Sequence, residues 1–246
     1  MPKDSFSTKC ICYKNQSQRD FSSFSLIVQA LGIFKKIYIV ENLFAVYKNY
    51  IQRFPDEETK RIFDNIFFDK IMVVICMENI FKALLIKKGY LVHMVDEQYI
   101  KDKNLYPSRY PVKVSILKKI IKPFYDTTSY GYWDYRELKE QTIGFSTILK
   151  KYSDILKIDM NLINVLKQYN KDRNNLHFYR GQSCYFSSNL GNEISEICKY
   201  IDVYVLKFSN KFAEKNYNSP KKESLKFEPF YNKGLLKAAL KELQKP

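Results

Sequence analysis

Residues 71–88, IMVVICMENIFKALLIKK, decide how the chain folds, because their apolar side chains lie on almost every side of a helix. Such a segment is typical of the central helix of a bundle. The acidic residues 56–58 precede it at a position where the positive end of a helix dipole favours carboxylates. Gly89 follows Lys88 and is a stop signal. We predict one helix from this acidic start to Lys88.

Working outward, further helices are expected along nearly the whole chain. Glycine and proline are scarce, at 7 and 8 residues, and apolar residues recur with a period of 3.6. No stretch shows a convincing strand alternation. We predict helices at residues 21–53, at 135–152, from 159 to Gly181 and at 192–216. The predicted fold class is all-α.

Residues 89–135 interrupt this pattern and are interpreted as an insertion packed on the bundle. Pro107, Pro111, Pro123 and Gly131 punctuate them, with one amphipathic helix expected at residues 112–121. Residues 1–20 are then an N-terminal extension and residues 21–216 the helical domain. Residues 217–246 form a Lys-rich tail with a short amphipathic helix expected at residues 233–243.

The chain is strongly basic, with 41 Lys and Arg against 26 Asp and Glu, a net charge of +15. A positive field attracts polyanions, so nucleic acid is the first candidate partner. Codon usage in an AT-rich genome would raise the lysine count equally well, and charge alone does not decide between the two. The phosphate-binding, dinucleotide-binding, zincin and nucleophile-elbow motifs do not occur in the sequence.

Neither a metal site nor a membrane segment is predicted. The five cysteines are an odd, scattered set, expected to be reduced and buried. Cys10 and Cys12 form C-x-C without a second pair, so a structural zinc would lack two of its four ligands. The most apolar stretch, residues 71–77, is too short to span a bilayer, and no signal peptide is evident. We expect a cytoplasmic protein without metal or other cofactor.

Histidine chemistry can use only His93 or His177, the two histidines of the chain. His177 has the better surroundings. Along its helix, the inward face that carries Leu162, Leu166 and Tyr169 continues in steps of four to Arg173 and His177. A face that begins apolar therefore ends with a guanidinium and an imidazole.

These two groups suffice to cut RNA without a metal. An imidazole can take the proton of a ribose 2′-hydroxyl or return one to the leaving oxygen. A guanidinium can hold the phosphate and stabilise charge in the transition state. The alternative is that Arg173 and His177 only occupy a helix C-terminus, where cations are favoured, and pair with an acid.

The segment KDRNNLHFY, residues 171–179, resembles the signature of HEPN ribonucleases. In that family an Arg and a polar residue are followed, within one helix, by the catalytic His. Asn174 matches the polar residue, and His177 and Tyr179 match the H-x-Y ending of HEPN toxins. Three residues separate Arg173 from His177, fewer than is usual in the family.

A second segment is similar to the family's central helix. Glu78, Lys82 and the following Ala-Leu match its E-x-x-x-K-A-L pattern. The resemblance covers residues 21–216, apart from the insertion at 89–135. It implies a HEPN-like helical bundle with an inserted segment and a short C-terminal helical tail.

The resemblance also implies a function. HEPN active sites are typically composite, so a homodimer that brings two Arg-His sets to one cleft is expected. His177 would be general base or acid and Arg173 would bind the scissile phosphate. Asn174 would orient the pair or contact the phosphate, and Tyr179 would lie at the cleft rim. The substrate would be RNA, in a toxin, antiviral or abortive-infection setting that can include an antitoxin or regulatory protein.

Two points stay open at the level of sequence. Glu78 could pair with Lys82, four residues along the same helix, or be the acid that orients Arg173. The whole chain could also be a non-catalytic HEPN-like dimer that binds RNA or protein. In that case Arg173 and His177 would be structural.

Overall fold

The computed structural model describes residues 11–13, 15–37, 57–95, 113–116, 125–127, 132–134, 138–176 and 190–216. Helices dominate this part of the chain, which confirms the predicted all-α class. The tail helix expected at residues 233–243 lies outside the described residues.

Seven α-helices run through the described ranges, and a π-helical segment, Ile201–Leu206, joins the last two. They are α1 (Gln16–Phe34), α2 (Glu57–Lys87), α3 (Phe145–Lys151), α4 (Ser153–Leu156), α5 (Met160–Leu176), α6 (Leu190–Tyr200) and α7 (Lys207–Asn216). The last of these ends at Asn216 as predicted, whereas α6 begins two residues before the predicted start.

Short strands are also present, although no stretch of the sequence shows a convincing strand alternation. They are β1 (Ile11–Tyr13), β2 (His93–Val95), β3 (Tyr125–Thr127), β4 (Tyr132–Asp134) and β5 (Leu138–Thr142). One antiparallel sheet has the order β1-β4-β3, and β2 pairs antiparallel with β5. Four of the five are three residues long, too short for side-chain alternation to show in the sequence.

The chain divides into two compact units. The first comprises residues 1–25 and 81–152. Among its described residues, the rings of Phe81 and Phe145 stack with centroids 6.0 Å apart. The second comprises residues 26–80 and 153–246. Its buried side chains include Phe34, Met77, Leu166, Ile197 and Val205, from α1, α2, α5, α6 and the π-helical segment.

The apolar stretch at residues 71–88 is largely buried, as is typical of the central helix of a bundle. Val73, Val74, Cys76, Met77, Ile80 and Phe81 are each fully shielded from solvent. The thiols of Cys76 and Cys198 are buried and reduced, as predicted. Burial raises the pKa of Cys76 to about 12 and moves the pKa of Cys198 in the same direction. Both thiols are therefore inert at neutral pH.

The first helix is shorter than predicted. The expectation was one helix over residues 21–53, but α1 begins at Gln16 and ends at Phe34. The amides of Lys36 and Ile37 each bond to a carbonyl three residues back, at Ile33 and Phe34. This tightened last turn follows Gly32, a weak helix former. Residues 38–53 lie outside the described ranges.

The second helix matches its prediction closely. It begins at Glu57 and ends at Lys87, one residue before the predicted end. Gly89 has a φ of +80°. Its amide bonds to the carbonyl of Ile86, and the amide of Tyr90 bonds to that of Leu85. These two bonds form a Schellman motif, which needs a left-handed residue at the glycine position.

The replacement Gly89→Ala is expected to lower the free energy of unfolding by about 1 kcal/mol, since an L-residue is strained at this φ. A methyl group would meet only the Arg19 side chain, 3.8 Å away, so the cost is in the backbone. The matched control is Gly32→Ala, at an exposed helical position with nothing within 4 Å. It should raise stability by about 0.5 kcal/mol. Urea denaturation measures both, and equal effects of the two replacements would contradict the strain argument.

The predicted helix over residues 135–152 is wrong in its first half. Residues 138–142 form β5, and the helix begins only at Phe145. Thr142 lies opposite His93, and the amide of Ile143 bonds to the carbonyl of Val92. Pairing with a distant segment overrides local helix preference here. Of the helix expected at residues 112–121, the structure describes only a helical turn at residues 114–116.

Candidate functional site

Helix α5 carries the residues singled out from the sequence, and Asp159 caps its first turn. The Asp159 carboxylate accepts a hydrogen bond from the amide of Leu162 at 2.8 Å, which satisfies one of the orphan donors of the first turn. Leu162, Leu166 and Tyr169 are buried, at 1%, 0% and 0% exposure. The inward face predicted for this helix is therefore confirmed up to Tyr169.

Arg173 continues that face into the last turn of α5. Its Nη1 donates a hydrogen bond to Oε2 of Glu78, 3.0 Å away on α2. The two side chains are 26% and 18% exposed, so the pair is partly shielded from water but still reachable. Lys82, the other candidate partner, donates to the Thr142 hydroxyl at 2.9 Å. The structure thus shows Glu78 as the acid that holds Arg173.

A second ion pair lies beside the first. The ammonium of Lys70, on α2, is 3.9 Å from Oδ2 of Asp172 and 5.0 Å from the centre of the Tyr169 ring. The Lys70 side chain is only 7% exposed. Lysine is rarely buried to this degree unless it is paired. The Asp172 carboxylate also accepts a hydrogen bond from Gln168 at 3.0 Å.

Tyr169 connects this pair to the next helix. Its hydroxyl donates to Oε2 of Glu193 on α6 at 2.8 Å. We call Lys70, Glu78, Tyr169, Asp172, Arg173 and Glu193 the polar layer. It lies where α2, α5 and α6 meet, within the second unit.

Two groups in the polar layer have perturbed acidities. Burial raises the pKa of Tyr169 well above its usual value, and the nearby Glu193 carboxylate raises it further. The hydroxyl therefore stays a proton donor across the neutral range. Burial also raises the pKa of Asp172, while the Lys70 ammonium acts in the opposite direction. Lys70 thus compensates part of the cost of a shielded carboxylate.

The structure describes only some of the site residues predicted from the sequence. Arg173 and Glu78 are brought together, and Asn174 is exposed on α5. His177 and Tyr179 lie outside the described residues, so their predicted roles stay predictions. Lys70, Asp172 and Glu193 were not predicted as site residues. The sequence signal that could have indicated them was Lys70, a cation two helical turns before Glu78 at the edge of an apolar run.

Within the described ranges, no three His, Cys, Asp or Glu side chains are grouped so as to hold a metal ion. None of the helices in that same part of the chain combines the length and apolar character needed to cross a bilayer. No family model matches the chain, and neither a curated protein nor a solved structure matches it.

Proposed function

We propose that this protein is a metal-independent endoribonuclease of HEPN type, in which Arg173 and His177 act on the RNA. One observation carries the proposal: Arg173 is fixed by Glu78 at the partly exposed end of an otherwise buried helix face. A guanidinium presents five donors. One of them bonds to Glu78 within the described residues, and the partial exposure of the side chain lets others meet a phosphate.

The expected reaction uses the substrate's own nucleophile. His177 removes the proton from a ribose 2′-hydroxyl, whose oxygen attacks the adjacent phosphorus. The bond from phosphorus to the 5′-oxygen breaks, and that oxygen takes up a proton. The products are a 2′,3′-cyclic phosphate and a 5′-hydroxyl. Arg173 stabilises the negative charge that builds on the phosphate oxygens, and Asn174 and Tyr179 line the same cleft.

The remaining features of the proposal follow from the resemblance and from the charge. The net charge of +15 supports RNA as the partner by raising its rate of encounter. A homodimer with a composite cleft is part of the proposal. So is a cytoplasmic role as a toxin or as an antiviral or abortive-infection effector, restrained by an antitoxin or another regulatory protein.

A second candidate function is supported by the same ion pair. Glu78 neutralises Arg173, as would be expected of an arginine that only joins two helices. A non-catalytic dimeric module that binds RNA or protein has the same geometry. The two functions differ in whether His177 is required for any chemistry.

The replacement His177→Ala is expected to abolish cleavage of total RNA and of a defined tRNA in the presence of EDTA, because it removes the proton-transfer group. The matched control is His93→Ala, which removes the other histidine, in β2, and should cleave like the wild type. Product ends are read by their sensitivity to phosphatase before and after acid treatment. Cleavage retained by His177→Ala, or lost on adding EDTA, contradicts the proposal. A folded wild type that binds RNA without cutting it favours the binding module.

A further inference from the structure

Two ion pairs of opposite polarity join α2 to the last turn of α5. In one, α2 supplies the cation, Lys70, and α5 supplies the anion, Asp172. In the other, α2 supplies the anion, Glu78, and α5 supplies the cation, Arg173. The two α5 residues are adjacent in sequence. The last turn of α5 is therefore held on two sides by one helix.

A functional arginine needs such support. Its side chain has several rotatable bonds, and fixing them costs conformational entropy. An arginine in this position holds one geometry only when the backbone below it is held as well.

The opposite polarity also sets the rotation of α5 about its own axis. A rotation that brought Arg173 towards Lys70 and Asp172 towards Glu78 would replace two attractive pairs with two repulsive ones. Like charges at this range are destabilising, most of all where water is partly excluded. The observed rotation is the one that presents Arg173 to Glu78.

We propose that Lys70 and Asp172 form a positioning pair that holds Arg173 in its working geometry, an inference that rests on the proposed ribonuclease function. Lys70 is too shielded to reach RNA, so it acts through Asp172, the neighbour of Arg173. The face of the Tyr169 ring lies 5.0 Å from the same ammonium and limits its movement. Gln168 holds the second oxygen of Asp172.

The test uses Lys70→Met, Asp172→Asn, the double variant and Lys70→Arg, with Lys167→Met on the exposed side of α5 as control. Each single variant should lower kcat for RNA cleavage about tenfold with KM little changed, because a small misplacement of a catalytic group slows the chemical step. The double variant should lose less than the product of the two single losses. Lys70→Arg should retain most of the activity, and the control should match the wild type.

A second measurement does not depend on catalysis. Hydrogen exchange of the amides of residues 171–176 should accelerate at least fivefold in both single variants, while the amides of residues 162–166 stay protected. If the wild type cuts no RNA, the proposed function fails, and the exchange data still report whether the pair holds the last turn. Asp172→Asn keeps the shape of the side chain, so it tests the pair even where Lys70→Met does not fold. Unchanged kcat and unchanged exchange in Asp172→Asn would overturn the proposal.

Discussion

Replacing Arg173 with lysine is expected to lower the rate of RNA cleavage about 100-fold or more, the usual cost of losing a preorganised transition-state donor. Lysine keeps the positive charge but not the planar fork, so it cannot bond to Glu78 and to a phosphate in the same geometry. Binding of RNA should weaken far less, since the overall charge is unchanged. Single-turnover rates at several RNA concentrations separate the two quantities.

The control for that experiment is Lys171→Ala, two positions away on the same helix. Lys171 is exposed, and two residues correspond to about 200° around a helix, so its side chain lies on the side opposite to Arg173. Its loss should change the cleavage rate less than about threefold, through long-range charge alone. A large loss in Lys171→Ala together with an active Arg173→Lys would mean that Lys171 is the functional cation. That result would refute the assignment of Arg173.

The sequence predicted those elements whose signals are local. The end of α2 follows from Gly89, whose positive φ a chiral residue adopts only with strain. The start of α5 follows from Asp159, whose carboxylate caps the first turn. In both cases the deciding contacts lie within a few residues along the chain.

Elements that depend on distant partners were not predictable in the same way. The end of α1 at Phe34 was missed because the apolar period continues past it through Tyr38 and Phe44. Strand β5 was missed because most of its residues, LKEQT, favour a helix. Its hydrogen bonds are to residues 92–95, more than forty positions earlier. Packing and pairing between distant segments decide such cases.

In the candidate site, too, the local features were predictable from the sequence and the contacts between distant segments were not. Steps of four and three along α5 predicted an inward face that carries Leu162, Leu166 and Tyr169, and their burial confirms the face up to Tyr169. The sequence left two partners open for Glu78, and only the packing of α2 against α5 shows Arg173 as its partner. Lys70 could not be matched with Asp172 for the same reason, as the two are about a hundred residues apart.

Tyr169 is expected to be the residue of the polar layer on which stability depends most. Tyr169→Ala should lower the free energy of unfolding by about 3 to 5 kcal/mol, the range for deleting a buried aromatic side chain. The ring is fully buried, so the deletion leaves a cavity. It also removes the aromatic face beside the Lys70 ammonium. Urea denaturation at pH 7, where the hydroxyl is protonated, measures the loss.

Two further variants serve as comparisons: one tests the hydroxyl of Tyr169, and the other tests the depth of burial. Tyr169→Phe keeps the ring and removes only the hydrogen bond to Glu193, so it should cost about 1 to 2 kcal/mol. Tyr204→Ala deletes a half-buried tyrosine of the π-helical segment and should cost less than Tyr169→Ala, because less surface is returned to water. If Tyr169→Phe costs as much as Tyr169→Ala, the hydrogen bond to Glu193 rather than the packing of the ring holds α5 against α6.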